Sequence, residues 1–306
     1  MDVLAVLFNP ILPVFAIMAG GFVAGRAGWV SLADARVINR FAMTVLLPIF
    51  VFNLISTAPM AQFPLQEVAL YAAVEAAVFT GAFVLARFAF HRDPAESVLL
   101  AFCCIFVNNA LYVLPISILL YGPDAVLPVT SVVTVDSIVT FAGAMIALQW
   151  IGMGRAQPRA VLMSLIRTPL IIGIAFGVLV GLTQFPLPGP LKTFVQFNGD
   201  GAAPVALFAL GVVLSKTRFA WDRVVISFTL IKLFAFPALL WTVFVFAGKF
   251  DGDGWARNSQ FLMASAGPAG AMGFSLALLH NIRSDAIAQI VVWTSLLSLV
   301  SLAVLA

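Results

Sequence analysis

Residues Ala264–Asn281 read ASAGPAGAMGFSLALLHN, which is apolar enough for a membrane span but contains Gly267-Pro268-Ala269-Gly270 in its middle. Proline lacks a backbone N–H and clashes with the preceding helical turn, and glycine adds backbone freedom, so an unbroken helix is disfavoured here. In hydrocarbon, irregular backbone is tolerated only where it is buried in protein or lines a wet cavity. The stretch therefore predicts a transmembrane helix with a functional break.

A second stretch of the same character lies in the first half of the chain. Residues Phe106–Gly122 read FVNNALYVLPISILLYG, with two asparagines and a proline inside an apolar run. Two interrupted hydrophobic segments in corresponding halves of a chain are a sequence signature of a transporter's binding site. We therefore interpret the chain as organised around this pair of breaks.

Composition places the whole chain in the membrane. Of its 306 residues, 62% are hydrophobic and 9% charged, and the mean hydropathy is +1.10. Soluble domains carry roughly 25% charged residues. Because a span needs ~20 apolar residues, the length accommodates about ten spans with short loops. We predict an all-α polytopic membrane protein with no separate soluble domain.

Hydropathy divides the chain into ten spans, of which spans 4 and 9 are interrupted. They cover about residues 4–24, 33–56, 67–90, 95–121, 125–151, 160–182, 191–214, 222–247, 256–279 and 285–305. Of the 16 Lys and Arg residues, 12 lie in the loops that follow odd-numbered spans, three lie on the other side, and Lys232 lies inside span 8. The positive-inside rule makes the first set of loops cytoplasmic. Both termini are therefore expected on the periplasmic side of the inner (plasma) membrane.

An internal repeat is expected because each half of the chain holds five spans. An odd number of spans inverts the second copy relative to the membrane. At an offset of 156 residues Pro48–Phe52 aligns with Pro204–Phe208, and the interrupted spans occupy matching places in the two halves. We predict a first five-helix repeat at residues 1–152 and an inverted second repeat at residues 153–306.

Four motifs, in order along the chain, resemble the auxin efflux carrier family. They are LLPIFVFNLIS at residues 46–56, Asn108 spaced from Pro115, GDGAAPVALFALGVVLS at residues 199–215, and Pro268 followed by GFSLALLHN at residues 273–281. The family includes plant auxin exporters and bacterial permeases for malonate and malate. The resemblance implies ten transmembrane helices in two inverted five-helix repeats, with helices 4 and 9 broken and crossing, as in the crossover folds of sodium/proton antiporters and bile-acid symporters. Ala110, Val113 and Met272 depart from the family's usual pattern, which bears on the substrate and not on the fold.

The two breaks supply the candidate substrate site. Asn108 and Asn109 are expected just before the break in span 4, where an amide either caps the freed backbone or donates to an anionic substrate. Helix N-termini near Val113–Pro115 and Gly267–Gly270 would add N–H groups and a positive dipole end. The full predicted set is Asn108, Asn109, Val113, Pro115, Ser265, Gly267, Pro268, Gly270 and Met272.

Three ionisable residues fall well inside spans: Glu75, Asp136 and Lys232. Each costs at least ~2.5 kcal/mol at a helix centre on insertion scales, so each is expected to face the interior or water. One interpretation is a proton- or sodium-coupling group. The other is an interior ion pair, with Lys232 facing Asp136 or Glu75.

The leading functional hypothesis is a secondary active transporter of a small organic anion, a carboxylate such as malonate or malate. It would work by alternating access around the helix 4/helix 9 crossover. The chain has no Walker motif, which excludes an ATP-driven pump of that type. The alternatives are a sodium-coupled symporter or sodium/proton antiporter of the same fold and, more remotely, an intramembrane enzyme. We predict no catalytic residues, cofactor, metal or nucleic-acid partner, and leave a homodimer open.

Overall fold

The computed structural model describes residues 12–57, 63–122, 127–153, 159, 162–163, 166–167, 169–216 and 221–305. Within these residues the secondary structure is helical, apart from one isolated antiparallel bridge between Val107 and Ala269. The predicted all-α class is therefore confirmed.

Twelve helices cover the main described segments. They are α1 (Leu12–Ala27), α2 (Leu32–Thr57), α3 (Leu65–Ala89), α4 (Pro94–Ile105), α5 (Leu114–Tyr121), α6 (residues 127–153), α7 (Pro169–Thr183), α8 (Gly189–Lys216), α9 (Arg223–Phe246), α10 (Gly254–Ala266), α11 (Met272–Leu279) and α12 (Asp285–Leu305). Five π-helical turns interrupt or extend them, at Ala42–Leu46, Leu85–Ala89, Asn109–Val113, Asp136–Thr140 and Ile231–Ala235.

Among the described residues, four helices are long and apolar enough to cross a membrane: α2, α3, α8 and α9. Their bounds lie within a few residues of predicted spans 2, 3, 7 and 8. Local chemistry explains two of the starts. Ser31 and Asp34 form a reciprocal capping box before α2, and the Asp222 side chain accepts from the N–H of Val225 before α9. Span 10 corresponds to α12, whereas parts of spans 1, 5 and 6 lie outside the described residues.

Spans 4 and 9 are both interrupted, but the break in span 4 is not where the sequence placed it. α4 ends at Ile105, residues 106–108 are not helical, and the helix resumes with a π-helical turn at Asn109–Val113. Asn108 and Asn109 were expected just before the break, but Asn108 lies within it and Asn109 begins the next helical turn, so that placement was wrong. Pro115 stands in the first turn of α5, where its missing N–H is tolerated.

Internal contacts divide the chain into two compact units. Unit 1 contains the described parts of residues 1–63, 110–130 and 163–218. Its helices pack through glycines: a Cβ added at Gly21 would collide with the Phe208 carbonyl, and one added at Gly211 would collide with the Met18 carbonyl. The small residues let the backbones of α1 and α8 approach closely, a common mode of helix association in membranes.

Unit 2 contains residues 64–109, the described parts of residues 131–162, and the described parts of residues 219–306. It includes both sides of the break in span 9 and the first side of the break in span 4. Among the described residues, every buried ionisable side chain of the Asp, Glu, Lys and Arg type lies here: Glu75, Glu96, Asp136 and Lys232. Unit 2 therefore holds the charges that the sequence placed inside spans.

Candidate functional site

The two breaks meet through their backbones. The N–H of Asn108 donates to the carbonyl of Pro268 at 2.9 Å, and the N–H of Gly270 donates to the carbonyl of Phe106 at 2.8 Å. These two bonds flank the bridge between Val107 and Ala269. Each break therefore supplies hydrogen-bonding partners that the other lacks, which is how non-helical backbone is accommodated at membrane depth.

Glycine allows this close approach. A Cβ at Gly270 would lie 2.6 Å from Cδ1 of the Phe106 ring and 3.3 Å from the Phe106 carbonyl oxygen. A Cβ at Gly273, in the first turn of α11, would lie 2.6 Å from the Cys103 sulfur. Because carbon atoms that close are repulsive, both positions exclude larger side chains unless their neighbours shift.

Side chains from α9 and α12 bind the rest of the span 9 break. The hydroxyl of Thr294 accepts the N–H of Ala269 at 3.0 Å, and the hydroxyl of Ser301 donates to the carbonyl of Ala266 at 3.0 Å. The ammonium group of Lys232 donates to the carbonyl of Ser265. The end of α10 is therefore capped by a hydroxyl and a cation, which also suits the negative end of the helix dipole.

These bonds leave little open backbone at Gly267–Gly270. The N–H of Gly267 donates to Met263, and those of Ala269 and Gly270 are bonded as described. Pro268 has no N–H to offer. The expectation of exposed N–H groups along this stretch was therefore wrong. The Ser265 hydroxyl is also buried and donates to Leu262 at 2.7 Å, so its bond is likewise internal.

The side chains of Asn108 and Asn109 have different surroundings. Asn109 is 1% exposed, and its amide nitrogen makes a long hydrogen bond of 3.5 Å to Asp136 Oδ2. Asn108 is half-buried, and its side-chain amide hydrogen-bonds to no described residue. A half-buried amide beside a helix break is available to a ligand, whereas the Asn109 amide belongs to an internal polar cluster.

This acid cluster consists of Tyr71, Glu75, Asn109, Asp136 and Thr140. The Thr140 hydroxyl, one turn after Asp136, donates to Glu75 Oε2 at 3.3 Å, and the carboxyl groups of Glu75 and Asp136 interact electrostatically. Tyr71 lies one helical turn before Glu75, close to both carboxyl groups. The first four residues are each no more than 3% exposed. These contacts are those of a dry polar site rather than of a solvated helix face.

Lys232 completes the electrostatics of the acid cluster. Its side chain is fully buried, and its ammonium group lies 5.0 Å from the centre of the Phe236 ring. It interacts electrostatically with both Glu75 and Asp136 while bonding to Ser265. The sequence predicted a coupling group or an ion pair for Lys232. The structure adds a contact with the span 9 break that neither reading included.

The π-helical turns coincide with these polar groups. Asn109, Asp136 and Lys232 each lie in one of the three turns Asn109–Val113, Asp136–Thr140 and Ile231–Ala235. A π turn adds a residue to a helical turn and rotates the side chains that follow, and such turns are frequent at functional sites. Hydropathy carries no signal for them.

The remaining predicted residues, Val113, Pro115 and Met272, do not belong to the acid cluster. Val113 and Pro115 fall within unit 1, Val113 being buried. Met272 begins α11 and is half-buried. Within the described residues, no three His, Cys, Asp or Glu side chains form a group able to hold a metal ion.

Sequence reasoning missed Tyr71, Thr294 and Ser301. A signal was present for each. Tyr71 precedes Glu75 by four residues and so shares its helix face. Thr294, Ser298 and Ser301 form a hydroxyl stripe at helical spacing in the mainly apolar α12. A polar stripe on a membrane helix indicates a face that contacts protein.

Two comparisons with known proteins bear on this site. The sequence matches the family described as "Membrane transport protein" over residues 6–306. It is also 23% identical over 302 residues to a Rhizobium meliloti (strain 1021) protein named "Putative malonate transporter", an alignment that covers 94% of this chain and 91% of the relative.

Proposed function

The chain belongs to the membrane transport protein family, the auxin efflux carrier family, and we propose that it is a secondary active transporter of a small organic anion. Family membership makes it a multi-pass membrane protein with a small-molecule substrate and a lipid environment, rather than an enzyme. The resemblance drawn from the sequence motifs is confirmed. The substrate, the direction of transport and the mechanism belong to the proposal.

The proposed substrate is a carboxylate such as malonate or malate. The observation that carries this proposal is the side-chain amide of Asn108, which is half-buried at the paired breaks and has no hydrogen bond to a described residue. An amide N–H donates well to a carboxylate and needs no buried positive charge beside it. The name of the Rhizobium meliloti relative supports the same class of substrate.

The proposed architecture is ten transmembrane helices in two inverted five-helix repeats, residues 1–152 and 153–306, with spans 4 and 9 crossing at their breaks. The backbone pairing of Asn108 with Pro268 and of Gly270 with Phe106 supports it. Alternating access would expose Asn108 to each side of the inner membrane in turn. Both termini would be periplasmic, and a homodimer is compatible with this arrangement.

The proposed substrate-binding residues are Asn108 and Met272 of unit 2, while Val113 and Pro115 of unit 1 stay predictions from the sequence. Gly267, Pro268 and Gly270 shape the site through backbone geometry, since their hydrogen-bonding groups are largely engaged. Asn109 and Ser265 contribute indirectly, through Asp136 and through the capped end of α10.

Coupling is proposed at Glu75, Asp136 and Lys232. An inside-negative potential opposes entry of an anion by ~2.3 kcal/mol per charge per 100 mV, so import requires a co-transported cation. The same-fold alternative is a sodium-coupled symporter or sodium/proton antiporter. One observation favours it: two carboxyl groups lie beside Asn109 at the span 4 break, although both breaks are uncharged in sequence.

The test is uptake of labelled malonate into proteoliposomes. We expect Asn108→Ala to lower uptake at least about tenfold, because a hydrogen bond to a charged group contributes roughly 1.5–3 kcal/mol. Asn198→Ala is the control, since Asn198 is also half-buried but lies in unit 1 and bonds to Phe194 of its own helix. Both variants should keep the wild-type melting temperature. Wild-type uptake by Asn108→Ala would remove Asn108 from the site, and no uptake of malonate, malate or other carboxylates by the wild type would refute the proposed function.

A further inference from the structure

Four buried polar atoms of the acid cluster have no hydrogen-bond partner among the described residues. They are Tyr71 Oη, Glu75 Oε1, Asn109 Oδ1 and Asp136 Oδ1. Buried polar atoms are rarely left unpaired, because an orphan loses its hydration without replacement. Two of these residues, Tyr71 and Asn109, are neutral polar residues. Each is 1% exposed and lies beside the carboxyl pair. The cluster therefore has the character of a site that takes up a small ligand.

The charges determine what that ligand is. With Glu75 and Asp136 both ionised and Lys232 protonated, three buried groups would carry a net charge of −1. One added proton makes them neutral. Because an uncompensated charge in a membrane interior is costly, the neutral state is favoured.

We propose that the Glu75–Asp136 pair binds a single shared proton, and that Asn109 links this proton to the substrate amide of Asn108. The inference rests on the proposed transport function and specifies its coupling ion. Thr140, one helical turn after Asp136, donates to Glu75 Oε2 at 3.3 Å, so the two buried carboxyl groups are neighbours, and each keeps one oxygen without a partner among the described residues. One proton on this pair would give such an oxygen a donor.

A sodium ion fits the same atoms less well. A hard cation is coordinated by several oxygen atoms. Four oxygen atoms here lack a partner, but the amide nitrogen of Asn109 and the buried ammonium group of Lys232 also face the carboxyl groups, and neither group can coordinate a cation. A proton needs neither a cage of oxygens nor space between the carboxyl groups.

The groups that face the pair come from several helices. Tyr71 lies beside Glu75 on α3, Thr140 follows Asp136 on α6, and Lys232 lies on α9. Cys104, on α4, lies near Lys232. Lys232 is the one cation among these groups. Its positive charge balances the one carboxylate that stays ionised after the pair has bound a proton.

Asn109 is the positioning residue in this scheme. Its amide contacts Asp136, and its neighbour Asn108 is fixed to Pro268 by the backbone, so the two asparagines join the acid cluster to the paired breaks. Loss of the proton would place a second negative charge beside this segment. We therefore expect an anion to bind more tightly as pH falls, because proton and anion then favour the same state.

Infrared spectroscopy of the purified protein without substrate tests proton binding separately from transport. At neutral pH, exposed carboxyl groups are ionised. The wild type should show the carbonyl stretching band of a protonated, buried carboxyl group, and the band should disappear at high pH. Glu75→Gln and Asp136→Asn should each abolish it, because the remaining carboxylate then pairs with Lys232.

The matched control is Glu96→Gln. Glu96 is another buried carboxyl group of unit 2, but it pairs with Arg92 at 3.2 Å, so its removal should leave the band unchanged. Two acid variants are used so that one can fail to fold without losing the test. A band that is absent from the wild type, or that survives in a folded acid variant, would overturn the proposal. So would a melting temperature that sodium raises, relative to potassium, in the wild type but not in Glu75→Gln.

The link through Asn109 has its own test, the affinity for malonate as a function of pH. Wild-type affinity should rise as pH falls. Asn109→Ala should keep the infrared band but lose most of this pH dependence, a change that simple destabilisation would not cause. An unaltered pH profile in Asn109→Ala would refute the link. If the band behaves as expected but no carboxylate is transported, the proton site stands and the proposed function fails.

Discussion

Units 1 and 2 hold their helices together by different interactions. In unit 1, glycines such as Gly21 and Gly211 bring helix backbones together, and none of its described Asp, Glu, Lys or Arg residues is buried. In unit 2, two helices are broken and side chains such as Lys232 and Thr294 replace the missing backbone bonds. Unit 1 depends on shape, whereas unit 2 depends on polar pairing.

The difference has a consequence for tolerance to substitution. Close packing through glycine is disrupted by any added methyl group at the contact, irrespective of polarity. Polar pairing is disrupted when one partner is lost, even if volume is kept, because the other partner remains buried. Substitutions that change only the size of a side chain should therefore destabilise unit 1 more, and substitutions that change only its polarity should destabilise unit 2 more.

The largest effect is expected at Lys232 in unit 2. Lys232→Met keeps most of the volume but leaves the Ser265 carbonyl and the carboxyl groups of Glu75 and Asp136 without their cation. Removing one member of a buried charged set costs about 3–5 kcal/mol, which thermal and denaturant unfolding in detergent would detect. Lys249→Met is the control, because the ion pair of Lys249 with Glu67 is 18% exposed on both sides and worth at most about 1 kcal/mol. Equal stability of the two variants would contradict polar pairing as the basis of unit 2.

A smaller effect is expected at Gly211 in unit 1. Gly211→Ala adds one methyl group against the Met18 carbonyl, and the strain should cost about 1–3 kcal/mol. Gly20→Ala is the control on the partner helix, because a Cβ there meets nothing within 4 Å. Alanine's better helix propensity should leave that variant as stable as the wild type or slightly more so. If melting temperatures show Gly211→Ala to be harmless, shape is not what holds α1 to α8.

The smallest effect is expected at Thr294 in unit 2. Thr294→Val preserves size but removes the acceptor of the Ala269 N–H, and an unpaired buried donor costs about 1–2 kcal/mol. Thr80→Val is the control, since the exposed Thr80 hydroxyl bonds only to Ala76 on its own helix. Hydrogen exchange at Ala269 should also accelerate in Thr294→Val alone. Unchanged exchange would show that Thr294 is not needed to hold the break.

Much of the fold could be predicted because hydropathy and capping act locally. The start of α2 follows from Ser31 and Asp34, and that of α9 from Asp222, all visible in the sequence. The interruption at Gly267–Gly270 also follows from residue types that oppose a helix. The predicted spans and the structure therefore agree wherever near neighbours decide the outcome.

The position of the span 4 break could not be predicted in this way. Residues 106–108 contain neither glycine nor proline, and they leave the helix where they pair with residues 268–270, far away in the chain. The different roles of Asn108 and Asn109 have the same origin. A sequence shows two adjacent amides, while the backbone turn between them decides which one faces Asp136.

The bridge between Val107 and Ala269 also limits the insertions and deletions that unit 2 can tolerate. It is formed by main-chain atoms, so its pairing depends on the positions of backbone donors and acceptors rather than on polar side chains at Val107 and Ala269. Insertion or deletion of one residue between Pro268 and Gly270 would instead misalign donors and acceptors, and could bring proline, which has no N–H, to the donating position. Homologous sequences that keep this bridge are therefore expected to keep the same residue count between these positions.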